Sequence, residues 1–521
     1  MSSPASPRTV VVGSGPAGMA CAAALVARGI RPLVLDAGRE LEPARVEAVE
    51  RAVAGGSVDP AFVRALEEAF PVDVDALPLK PAFGSLFPYA EQERESGVRL
   101  GEGVGVVPSL ARGGLSTVWG ASILPHRERD LEAWPAAARD LAEAYRGVFA
   151  QMPLAGEEDA LADEFPLYGD PQRLEPTAQV AALLARLRGA EGDLRAQGCL
   201  AGRARLALYA GTHASACRLA GVCMLGCPYG SIWSAAATLS ELLAADALDY
   251  RPGIVIERVE ERGGSVRLRA GEETVDADRV FLAAGALTST RLVLASQERH
   301  GSAVTLRDSA YFTLPLLTRR RAGKVGRGMA GNTLAQVYLE LDPPAGTRGS
   351  VHVQVYGYND LMLRAAAARA RLPEATAQRL LQPLLGRLLY AQGYLHSDDS
   401  PALRAELVRE DGRDILSLTP GEGSSRTAVG AVVRRLAELR PLTGLRPLAS
   451  QLQVWPQGKG FHVGGSLPMR DRPGPLESDV LGRPHGFERV HVVDASVLPS
   501  LPATTITLAV MATAYRIGRD A

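Results

Sequence analysis

The most constraining feature of the sequence is a glycine-rich turn near its N-terminus. Three valines at residues 10–12 predict a buried parallel strand, and the residues after them have the spacing G-x-G-x-x-G before an alanine-rich helix. The glycines of this motif give a tight turn, close approach of backbone to a pyrophosphate, and close packing of helix on strand. The helix N-terminus also presents free N–H groups to phosphates. The motif predicts dinucleotide binding by Gly13, Gly15, Pro16, Ala17 and Gly18.

A second predicted strand, residues 31–35, leads directly into Asp36. A carboxylate at this place accepts hydrogen bonds from the ribose hydroxyls of an adenosine. An ordinary glycine-rich turn is the alternative interpretation, but the strand, the helix and the acid together favour a dinucleotide. Because the motif fits FAD and NAD alike, the choice between them depends on the rest of the chain.

Length and charge limit the class of protein. A chain of 521 residues is too long for one simple core and predicts two domains. Its formal net charge is −1 and it has no basic run, which argues against nucleic acid as a partner. No apolar run has the length of a membrane span, and no signal segment precedes the first strand, so we expect a soluble, cytoplasmic protein. Five cysteines, an odd number, argue against a disulfide framework.

The middle of the chain predicts two kinds of structure. Residues 127–198 have the apolar spacing of helices, whereas residues 250–296 turn to strands, beginning with residues 254–256. The last of these strands is followed by Gly285 and a helix, so the nucleotide domain is expected to resume there. Residues 305–460 alternate β-rich segments with one helical block, which predicts an antiparallel sheet in a second, substrate-facing domain.

Two further stretches have the composition of binding sites. Residues 111–120 contain paired glycines with small hydroxyl residues, which suits a loop that a flat or charged ligand approaches closely. Near the C-terminus, His462 lies in a glycine-rich turn, and a predicted buried strand ends at Asp494. A glycine-rich connector is the alternative for the first stretch.

The motifs described so far, taken in their order along the chain, resemble those of the glucose–methanol–choline (GMC) family of FAD-dependent oxidoreductases. The likeness covers residues 8–40, 110–126, 215–240, 279–296 and 460–517. Besides the first glycine turn, it depends on Gly113-Gly114-x-Ser116-Thr117, His462-x-x-Gly465-Ser466, Asp494-Ala495-Ser496 and Ala512-x-Ala514-x-Arg516. The resemblance favours FAD over NAD.

The resemblance implies an α/β fold in which a Rossmann-like FAD-binding domain is interrupted by a substrate domain with a mainly antiparallel sheet flanked by helices. The expected segments are a first FAD-binding part, a helical insert, a second FAD-binding part with a cysteine cluster, the substrate domain, and a third FAD-binding part with the catalytic histidine. In that order they span residues 1–130, 131–200, 201–300, 301–460 and 461–521.

The resemblance also implies which residues contact FAD. Its pyrophosphate would lie on the first glycine turn and near Asp494 and Ala495, its ribose on Asp36, and its adenine near Val255. The isoalloxazine ring would lie beside residues 113–119. The other implied contacts are Gly113, Gly114, Ser116, Thr117, Trp119, Ala284, Gly285, Thr505 and Ile506.

The flavin is expected to be held without a covalent bond. Pyranose oxidases of this family attach it through a histidine in the context Thr-His-Trp. The matching residues here are Thr117, Val118 and Trp119, and valine offers no nucleophile. The resemblance therefore implies non-covalent FAD.

His462 matches the catalytic histidine of the family. Oxidation of an alcohol requires removal of the hydroxyl proton as hydride leaves carbon, and imidazole titrates near working pH. Its partner in the family is asparagine or a second histidine, but the matching position here is Thr505. A threonine hydroxyl donates or accepts a hydrogen bond but is no base at neutral pH. Either Thr505, or its neighbour Thr504, fills the role weakly or His462 works alone.

Three cysteines, Cys217, Cys223 and Cys227, have C-x5-C-x3-C spacing followed by proline. Clustered thiolates bind soft metals. Bacterial FAD-dependent glucose dehydrogenases of the family show this spacing around a [3Fe–4S] cluster, so the resemblance implies such a cluster. A zinc site with His213 and a set of buried thiols are the alternatives.

The expected function is an FAD-dependent alcohol dehydrogenase that oxidises a hydroxyl of a sugar, glycoside or aminoglycoside-like polyol to a carbonyl, with His462 as the base. An iron–sulfur cluster would pass electrons to a redox carrier, which makes a dehydrogenase the preferred interpretation over an oxidase. Two alternatives remain open: a lyase of the same scaffold whose flavin does no redox work, and a flavin or iron–sulfur electron-transfer protein.

Overall fold

The structure is a computed structural model that describes residues 8–71, 77–322, 325–326 and 329–521. These residues form 15 α-helices and 22 β-strands. The helices are α1 (Pro16–Ala27), α2 (Pro43–Val53), α3 (Pro60–Ala69), α4 (Glu93–Ser96), α5 (Ala136–Arg139), α6 (Ala142–Phe149), α7 (Ala178–Gly189), α8 (Glu191–Ala196), α9 (Ala235–Ala244), α10 (Ala286–Ser296), α11 (Asp360–Ala370), α12 (Glu374–Leu385), α13 (Arg426–Glu438), α14 (Arg440–Thr443) and α15 (Thr507–Asp520).

The strands are short and spread over the whole chain. They are β1 (Thr9–Val12), β2 (Leu33–Leu35), β3 (Val98–Leu100), β4 (Leu154–Ala155), β5 (Pro171–Gln172), β6 (Cys199–Arg203), β7 (Asp249–Arg251), β8 (Arg258–Arg262), β9 (Ser265–Ala270), β10 (Glu273–Ala277), β11 (Arg279–Leu282), β12 (Ala303–Asp308), β13 (Tyr311–Thr318), β14 (Val337–Leu341), β15 (Val351–Tyr356), β16 (Leu388–Leu395), β17 (Leu403–Glu410), β18 (Arg413–Pro420), β19 (Leu445–Pro447), β20 (Gln453–Val454), β21 (Val463–Gly464) and β22 (Val490–Val492).

A five-stranded parallel sheet holds the first glycine turn. Its order is β22-β11-β1-β2-β7, so its strands come from three separated parts of the chain. The three valines of β1 are buried because both faces of the sheet are covered. Helices α1 and α15 pack against each other, and a side chain at Gly518 would meet the Cys21 carbonyl at 2.9 Å. The predicted interrupted Rossmann-like domain is thereby observed.

One predicted strand is wrong. Residues 254–256 are irregular, and the strand begins only at Arg258. The Gly253 N–H donates to the Ala37 carbonyl, and the Ile254 N–H donates to the Asp36 carbonyl. The residues after β7 therefore lie beside the residues after β2 and do not pair as a new strand. Strands β8, β9 and β10 then form a separate three-stranded antiparallel sheet.

A seven-stranded antiparallel sheet forms the second large layer. Its order is β19-β13-β16-β15-β14-β6, with β20 pairing to β13. One face carries valine and leucine side chains that pack with α7 and α13 in one apolar core. This sheet confirms the predicted antiparallel domain. Its edge strand β6 comes from Cys199–Arg203, at the boundary between the predicted helical insert and the second FAD-binding part.

A second five-stranded sheet is mainly antiparallel. Its order is β21-β12-β17-β18-β3, and only the β18–β3 pair is parallel. Strand β21 begins directly after His462 and pairs with the end of β12. The predicted catalytic histidine therefore lies directly before an edge strand of this sheet. A short parallel pair, β4 and β5, completes the strands of the described residues.

Candidate active site

One cavity of about 800 Å³ is lined by residues of both the parallel sheet and the seven-stranded sheet. Its glycine end is formed by the loops that follow β1, β2 and β11. Its sheet end is formed by side chains on β13, β15 and β16. The predicted site residues that line this cavity are Gly13, Gly15, Pro16, Ala17, Asp36, Gly114, Ser116, Trp119, Val255, Ala284, Gly285, His462, Asp494, Ala495, Thr505 and Ile506.

Backbone contacts at Gly13 and Gly18 leave no room for a side chain at either position of the first glycine turn. Gly13 has φ +101°, and a Cβ there would lie 2.5 Å from the Ala283 carbonyl oxygen. A Cβ at Gly18 would lie 2.0 Å from the Gly13 carbonyl oxygen. Gly18 does not line the cavity, so its part is to bring α1 close to the turn.

The two glycine-rich loops meet at the same place. The Gly113 N–H donates to Ser14 Oγ at 2.9 Å, and a Cβ at Gly114 would lie 3.2 Å from Gly15 Cα. Gly113 itself and Thr117 lie behind the cavity wall, where the Thr117 hydroxyl donates to the Gly114 carbonyl. Gly113 and Thr117, predicted to contact FAD, do not line the described cavity, and they hold the loop that does.

Asp36 lies at the end of β2, where the sequence places it. Its carboxylate is buried and accepts hydrogen bonds from the Ser14 hydroxyl and, at 3.1 Å, from the Tyr250 hydroxyl. Burial raises the pKa of Asp36, and these hydrogen bonds oppose that effect. Tyr250 was missed by sequence reasoning because it comes from β7, a distant part of the chain.

The N-terminus of α10 also lies at the glycine end, where the Ala284 N–H donates to the Ser289 hydroxyl at 3.2 Å. Ala284 and Gly285 line the cavity, and Gly285 has φ +84°. Asp494 is buried beside this helix and accepts hydrogen bonds from the Ser289 and Ser496 hydroxyls. Burial raises the pKa of Asp494. Its carboxylate is thus engaged within the protein, and it holds the neighbouring Ala495 at the cavity.

His462 lies at the junction of the two ends. Its half-buried ring is stacked on Tyr394, with centroids 4.6 Å apart. Nδ1 is buried without a hydrogen-bond partner in the described residues, so Nε2 is the nitrogen available to a ligand. Burial, with a smaller contribution from the nearby His352 and His126, lowers the pKa of His462 to about 3. The imidazole is therefore neutral at physiological pH and able to accept a proton.

The turn that carries His462 is held from the neighbouring strand. The Ser309 N–H donates to the His462 carbonyl at 3.1 Å. The Gly458 N–H donates to the buried Asp308 carboxylate at 2.9 Å, and burial raises the pKa of Asp308 to about 7. Two strand-end residues thereby fix the backbone on either side of the histidine.

Thr505 is buried and lines the cavity, and its hydroxyl has no hydrogen-bond partner within the described residues. Its neighbour Thr504 is also buried and equally without a partner, but it does not line the cavity. A buried hydroxyl without a partner is unfavourable unless a ligand satisfies it. This geometry favours Thr505 over Thr504 as the residue that contacts a ligand.

The three clustered cysteines do not fit the expected metal centre. Within residues 8–71, 77–322, 325–326 and 329–521, no group of three His, Cys, Asp or Glu side chains is placed to hold a metal ion. The Cys223 thiol lies 3.7 Å from Asn332 Oδ1, and Cys227 Sγ accepts the Ser231 N–H. Burial raises the pKa of Cys217 to about 11, and the nearby Cys223 and Cys227 contribute to this shift.

The zinc alternative is not supported either. His213 is exposed, its Nδ1 accepts the Ser215 N–H at 3.0 Å, and its ring stacks on Tyr209. The loop of the three cysteines nevertheless reaches the cavity, because Met224 contributes to its lining.

Sequence reasoning missed most of the sheet end. The polar and aromatic side chains that line it there are Tyr311, Gln354, Tyr356, Tyr390, Gln392, Tyr394, Gln453 and Trp455. It also missed Lys80, whose ammonium donates to the Trp119 carbonyl at 3.1 Å and whose pKa is lowered to about 8 by burial. For the sheet end, the sequence signal that was available is the strict alternation of valine with polar residues along β15.

Two segments of the chain match known protein families. Residues 441–514 match the family model of the GMC oxidoreductases, and residues 11–41 match that of an NAD(P)-binding Rossmann-like domain. The resemblance to GMC oxidoreductases is confirmed. No curated protein matches the sequence. Among solved structures, pyridoxine 4-oxidase from Mesorbium loti is similar over 98% of each chain, with a TM-score of 0.60 and 18% identity. This last likeness shows a shared fold.

GMC oxidoreductases bind FAD, and the glycine end of the cavity suits such a cofactor. It combines a side-chain-free turn, a buried carboxylate at the end of β2 and the N-terminus of a helix. Val118, at the position where a covalent flavin bond would form, is a buried valine. No helix of the described residues is long and apolar enough to cross a bilayer.

Proposed function

We propose that this protein is an FAD-dependent oxidoreductase that oxidises a CH–OH group to a carbonyl, with His462 as the base. The observation that carries the proposal is the position of a neutral, half-buried imidazole in the same cavity as the glycine turn. An imidazole that is uncharged at pH 7 has its lone pair available for a proton, although the lowered pKa also makes it a weaker base than free imidazole. Such a group typically accelerates a reaction by about 10²–10⁴-fold.

The residues at the glycine end would hold FAD without a covalent bond. Gly15 and the N-termini of α1 and α10 would face its pyrophosphate, and Asp36 offers a carboxylate to its ribose. Bound FAD would supply the hydride acceptor. The protein's own part in the step is to hold the substrate hydroxyl at His462 Nε2 and to receive its proton there.

The substrate we favour is a neutral sugar, glycoside or related polyol. Aromatic rings and side-chain amides form the sheet end, and this combination suits a ring with apolar faces and hydroxyl edges. An aminoglycoside-like substrate carries positive charge and would require carboxylates. The two aspartates that line the described cavity, Asp36 and Asp494, lie at its glycine end, so a cationic sugar is the less favoured member of this class.

A hydroxymethyl group on a flat aromatic ring is the second candidate substrate. The solved pyridoxine 4-oxidase shares this fold, and the tyrosines and Trp455 of the sheet end would stack on such a ring.

The electron acceptor is a separate question. Without a fitting iron–sulfur site, the support for a dehydrogenase over an oxidase is lost, so the acceptor must be measured.

The decisive experiment is an anaerobic absorbance spectrum of the purified holoprotein before and after addition of a substrate panel. The panel contains neutral sugars, polyols, aminoglycosides and hydroxymethylpyridines. Bleaching of the flavin by one class identifies it, whereas conversion of substrate without bleaching would indicate the lyase alternative. A holoprotein that no hydroxylated compound reduces would overturn the proposal.

Reoxidation of the bleached protein then identifies the acceptor. Stoichiometric hydrogen peroxide after admission of air would identify an oxidase, and reoxidation only by dyes or a redox carrier would identify a dehydrogenase. Denaturation before gel filtration tests the attachment of the flavin. We expect the yellow colour to leave the chain, and colour that stays with the protein would contradict non-covalent binding.

A further inference from the structure

Lysine is rare in this chain, and two of its lysines line the cavity. Of the 57 lysine and arginine residues, three are lysine, at positions 80, 324 and 459. Lys80 and Lys459 are lining residues of the cavity. Lysine carries a compact point charge on a flexible stem, and burial shifts its pKa more readily than that of arginine. In a chain that carries most of its positive charge on arginine, lysine is thus retained at the ligand cavity.

Lys80 has no carboxylate partner within the described residues. Its side chain is half-buried, and its ammonium donates to the Trp119 carbonyl at 3.1 Å. An ammonium has three N–H donors, and this contact uses one of them. The ionisable groups near it are the thiols of Cys223 and Cys227, and burial lowers the pKa of Lys80 to about 8. A positive charge with two further N–H groups is therefore left for a ligand.

Trp119 belongs to the loop that joins the two ends of the cavity. A Cβ at Gly114 would lie 3.2 Å from Gly15 Cα, at the glycine end, and a Cβ at Gly120 would lie 4.0 Å from the Tyr356 hydroxyl, at the sheet end. A cofactor that is anchored at the glycine turn and reacts with a substrate at the sheet end must lie along this loop. The ammonium bound to the Trp119 carbonyl therefore lies beside the reactive part of such a cofactor.

The backbone of Lys80 is held against the turn that carries the histidine. The Tyr89 hydroxyl donates to the Lys80 carbonyl at 3.0 Å, and the Tyr89 ring lies 6.2 Å from the ring of Phe461, the residue before His462. Tyr89 also shares an apolar cluster with Val118 of the loop. Packing thus fixes the position of Lys80 relative to both the loop and the histidine turn.

Oxidation of a CH–OH group separates charge within the cavity. The hydroxyl proton goes to His462, and the hydride brings one negative charge to the bound cofactor. The cavity aspartates, Asp36 and Asp494, accept hydrogen bonds from protein hydroxyls at the glycine end. A fixed cation beside the place where negative charge develops favours the step, because it needs no reorganisation at the moment of reaction.

We propose that Lys80 is a catalytic residue whose ammonium donates a hydrogen bond to the reactive ring of bound FAD and stabilises the negative charge that reduction brings there. This inference rests on the proposed function and adds to it the residue that assists electron acceptance at the same site. The charge of Lys80 then raises the reduction potential of the bound flavin, whichever substrate reduces it.

The test is the midpoint potential of the flavin in purified holoprotein, measured by equilibration with redox dyes without substrate. Lys80→Met removes the charge and keeps the length of the side chain. We expect the equilibrium constant for reduction to fall by about tenfold or more, the effect of a hydrogen bond to a charged group. This fold-change corresponds to a potential lower by about 30 mV or more for a two-electron couple. Lys80→Arg keeps the charge and should stay within about threefold of wild type.

Lys459→Met is the matched comparison, because it removes the other ammonium of the cavity. Lys459 has Glu91 as a charged neighbour, and its loss should change the same equilibrium constant by less than about threefold. An equal fall in both variants would show a general effect of cavity charge and would overturn the assignment to Lys80. If Lys80→Met purifies without flavin, Lys80→Gln, a shorter uncharged donor, gives the same comparison.

The pH dependence separates charge from packing. The difference in potential between wild type and Lys80→Met should be largest below pH 8 and shrink above it, because the ammonium loses its proton there. Cys223, Cys227 and Tyr89, the other titratable groups near Lys80, are present in both proteins, so their own titration cancels in the difference. A structural role of Lys80 would give a difference that does not change with pH, which would contradict the inference.

The remaining outcomes separate this inference from the proposed function. Equal potentials in wild type and Lys80→Met would overturn the inference even where a substrate reduces the flavin. An effect confined to the dissociation constant of an acidic substrate would assign the ammonium to the substrate and would also overturn it. A lowered potential in Lys80→Met supports the inference, and failure of every hydroxylated compound to reduce the wild-type flavin would then count against the proposed function alone.

Discussion

The two ends of the cavity are built from different parts of the polypeptide. At the glycine end the wall is backbone. A Cβ added at Gly13, Gly18 or Gly114 would lie within 3.2 Å of another backbone atom. At the sheet end the wall consists of side chains on a regular antiparallel frame, such as Gln354 and Gln392. A backbone wall tolerates almost no substitution, whereas a side-chain wall permits exchange and alters which ligand is accepted. The first end suits a constant cofactor, and the second suits a variable substrate.

The largest effect should follow from a single methyl group at the glycine end. Gly18→Ala would place Cβ 2.0 Å from the Gly13 carbonyl oxygen. Relief of this clash moves α1 or the turn, at a cost of about 3 kcal/mol in the free energy of unfolding. We expect the variant to lose FAD on gel filtration and to unfold at lower denaturant concentration.

Gly192→Ala is its control, because a Cβ there meets nothing within 4 Å. This exchange lies in helix α8 and should leave flavin content unchanged and raise stability by up to about 1 kcal/mol. Full FAD occupancy in Gly18→Ala would show that the glycine end is less rigid than the described contacts require.

The next largest effect concerns the junction of the two ends. His462→Ala should slow flavin reduction by substrate by about 10²–10⁴-fold while FAD remains bound. The exposed His485 is a matched control, and His485→Ala should react at the wild-type rate. Stopped-flow absorbance of the flavin under anaerobic conditions measures both. A His462→Ala variant within threefold of wild type would remove the assignment of the base.

The pH dependence of that reduction sharpens the same assignment. Burial lowers the pKa of His462 to about 3, so the neutral, proton-accepting form prevails at every pH above that value. The rate constant for reduction should therefore be flat between pH 6 and 8 and fall only as the pH drops toward 3. A decline with a midpoint near 6.5, the pKa of free imidazole, would show that the site is more open to water than its burial indicates.

The two ends also differ in how far the sequence predicts them. The glycine turn, Asp36 and the His462 turn are signalled by residues a few positions apart, because backbone conformation is a local property. The polar cavity face of the sheet, which includes His352, Gln354 and Gln392, depends on the register of β14, β15 and β16. No short segment of the chain encodes that register. Alternation along β15 predicts a two-faced strand but does not say which neighbour completes each hydrogen bond.

The same distinction explains one wrong expectation and one that the described residues do not support. The strand expected at residues 254–256 has suitable β-branched residues, but its backbone bonds to the residues after β2. The cysteine spacing suits a metal centre, but Cys223 faces Asn332, a residue more than a hundred positions away. In both cases a residue from a distant part of the chain is the hydrogen-bond partner, whereas the local sequence pattern predicted a different one.

A smaller effect is expected at Thr505, where the family has asparagine or histidine. Its hydroxyl lines the cavity without a partner, so a hydrogen bond to the substrate oxygen is worth about tenfold or less in kcat/KM. Thr505→Val should show that loss with flavin content unchanged. Thr504→Val is the control, since the Thr504 hydroxyl is equally buried and unpartnered but lies outside the lining. Equal losses in both variants would indicate a packing effect and no contact with substrate.

The smallest effect should come from the cysteine loop. If Cys217 binds no metal, Cys217→Ser changes only a half-buried thiol to a hydroxyl, and flavin content and reduction rate should stay within about twofold of wild type. Iron and acid-labile sulfide, measured on anaerobically purified wild type, should lie well below one equivalent per chain. Stoichiometric iron that disappears in Cys217→Ser would instead mean that the loop closes around a cluster when metal is present. The cavity would then have a third functional wall at Met224, and the dehydrogenase interpretation would regain its support.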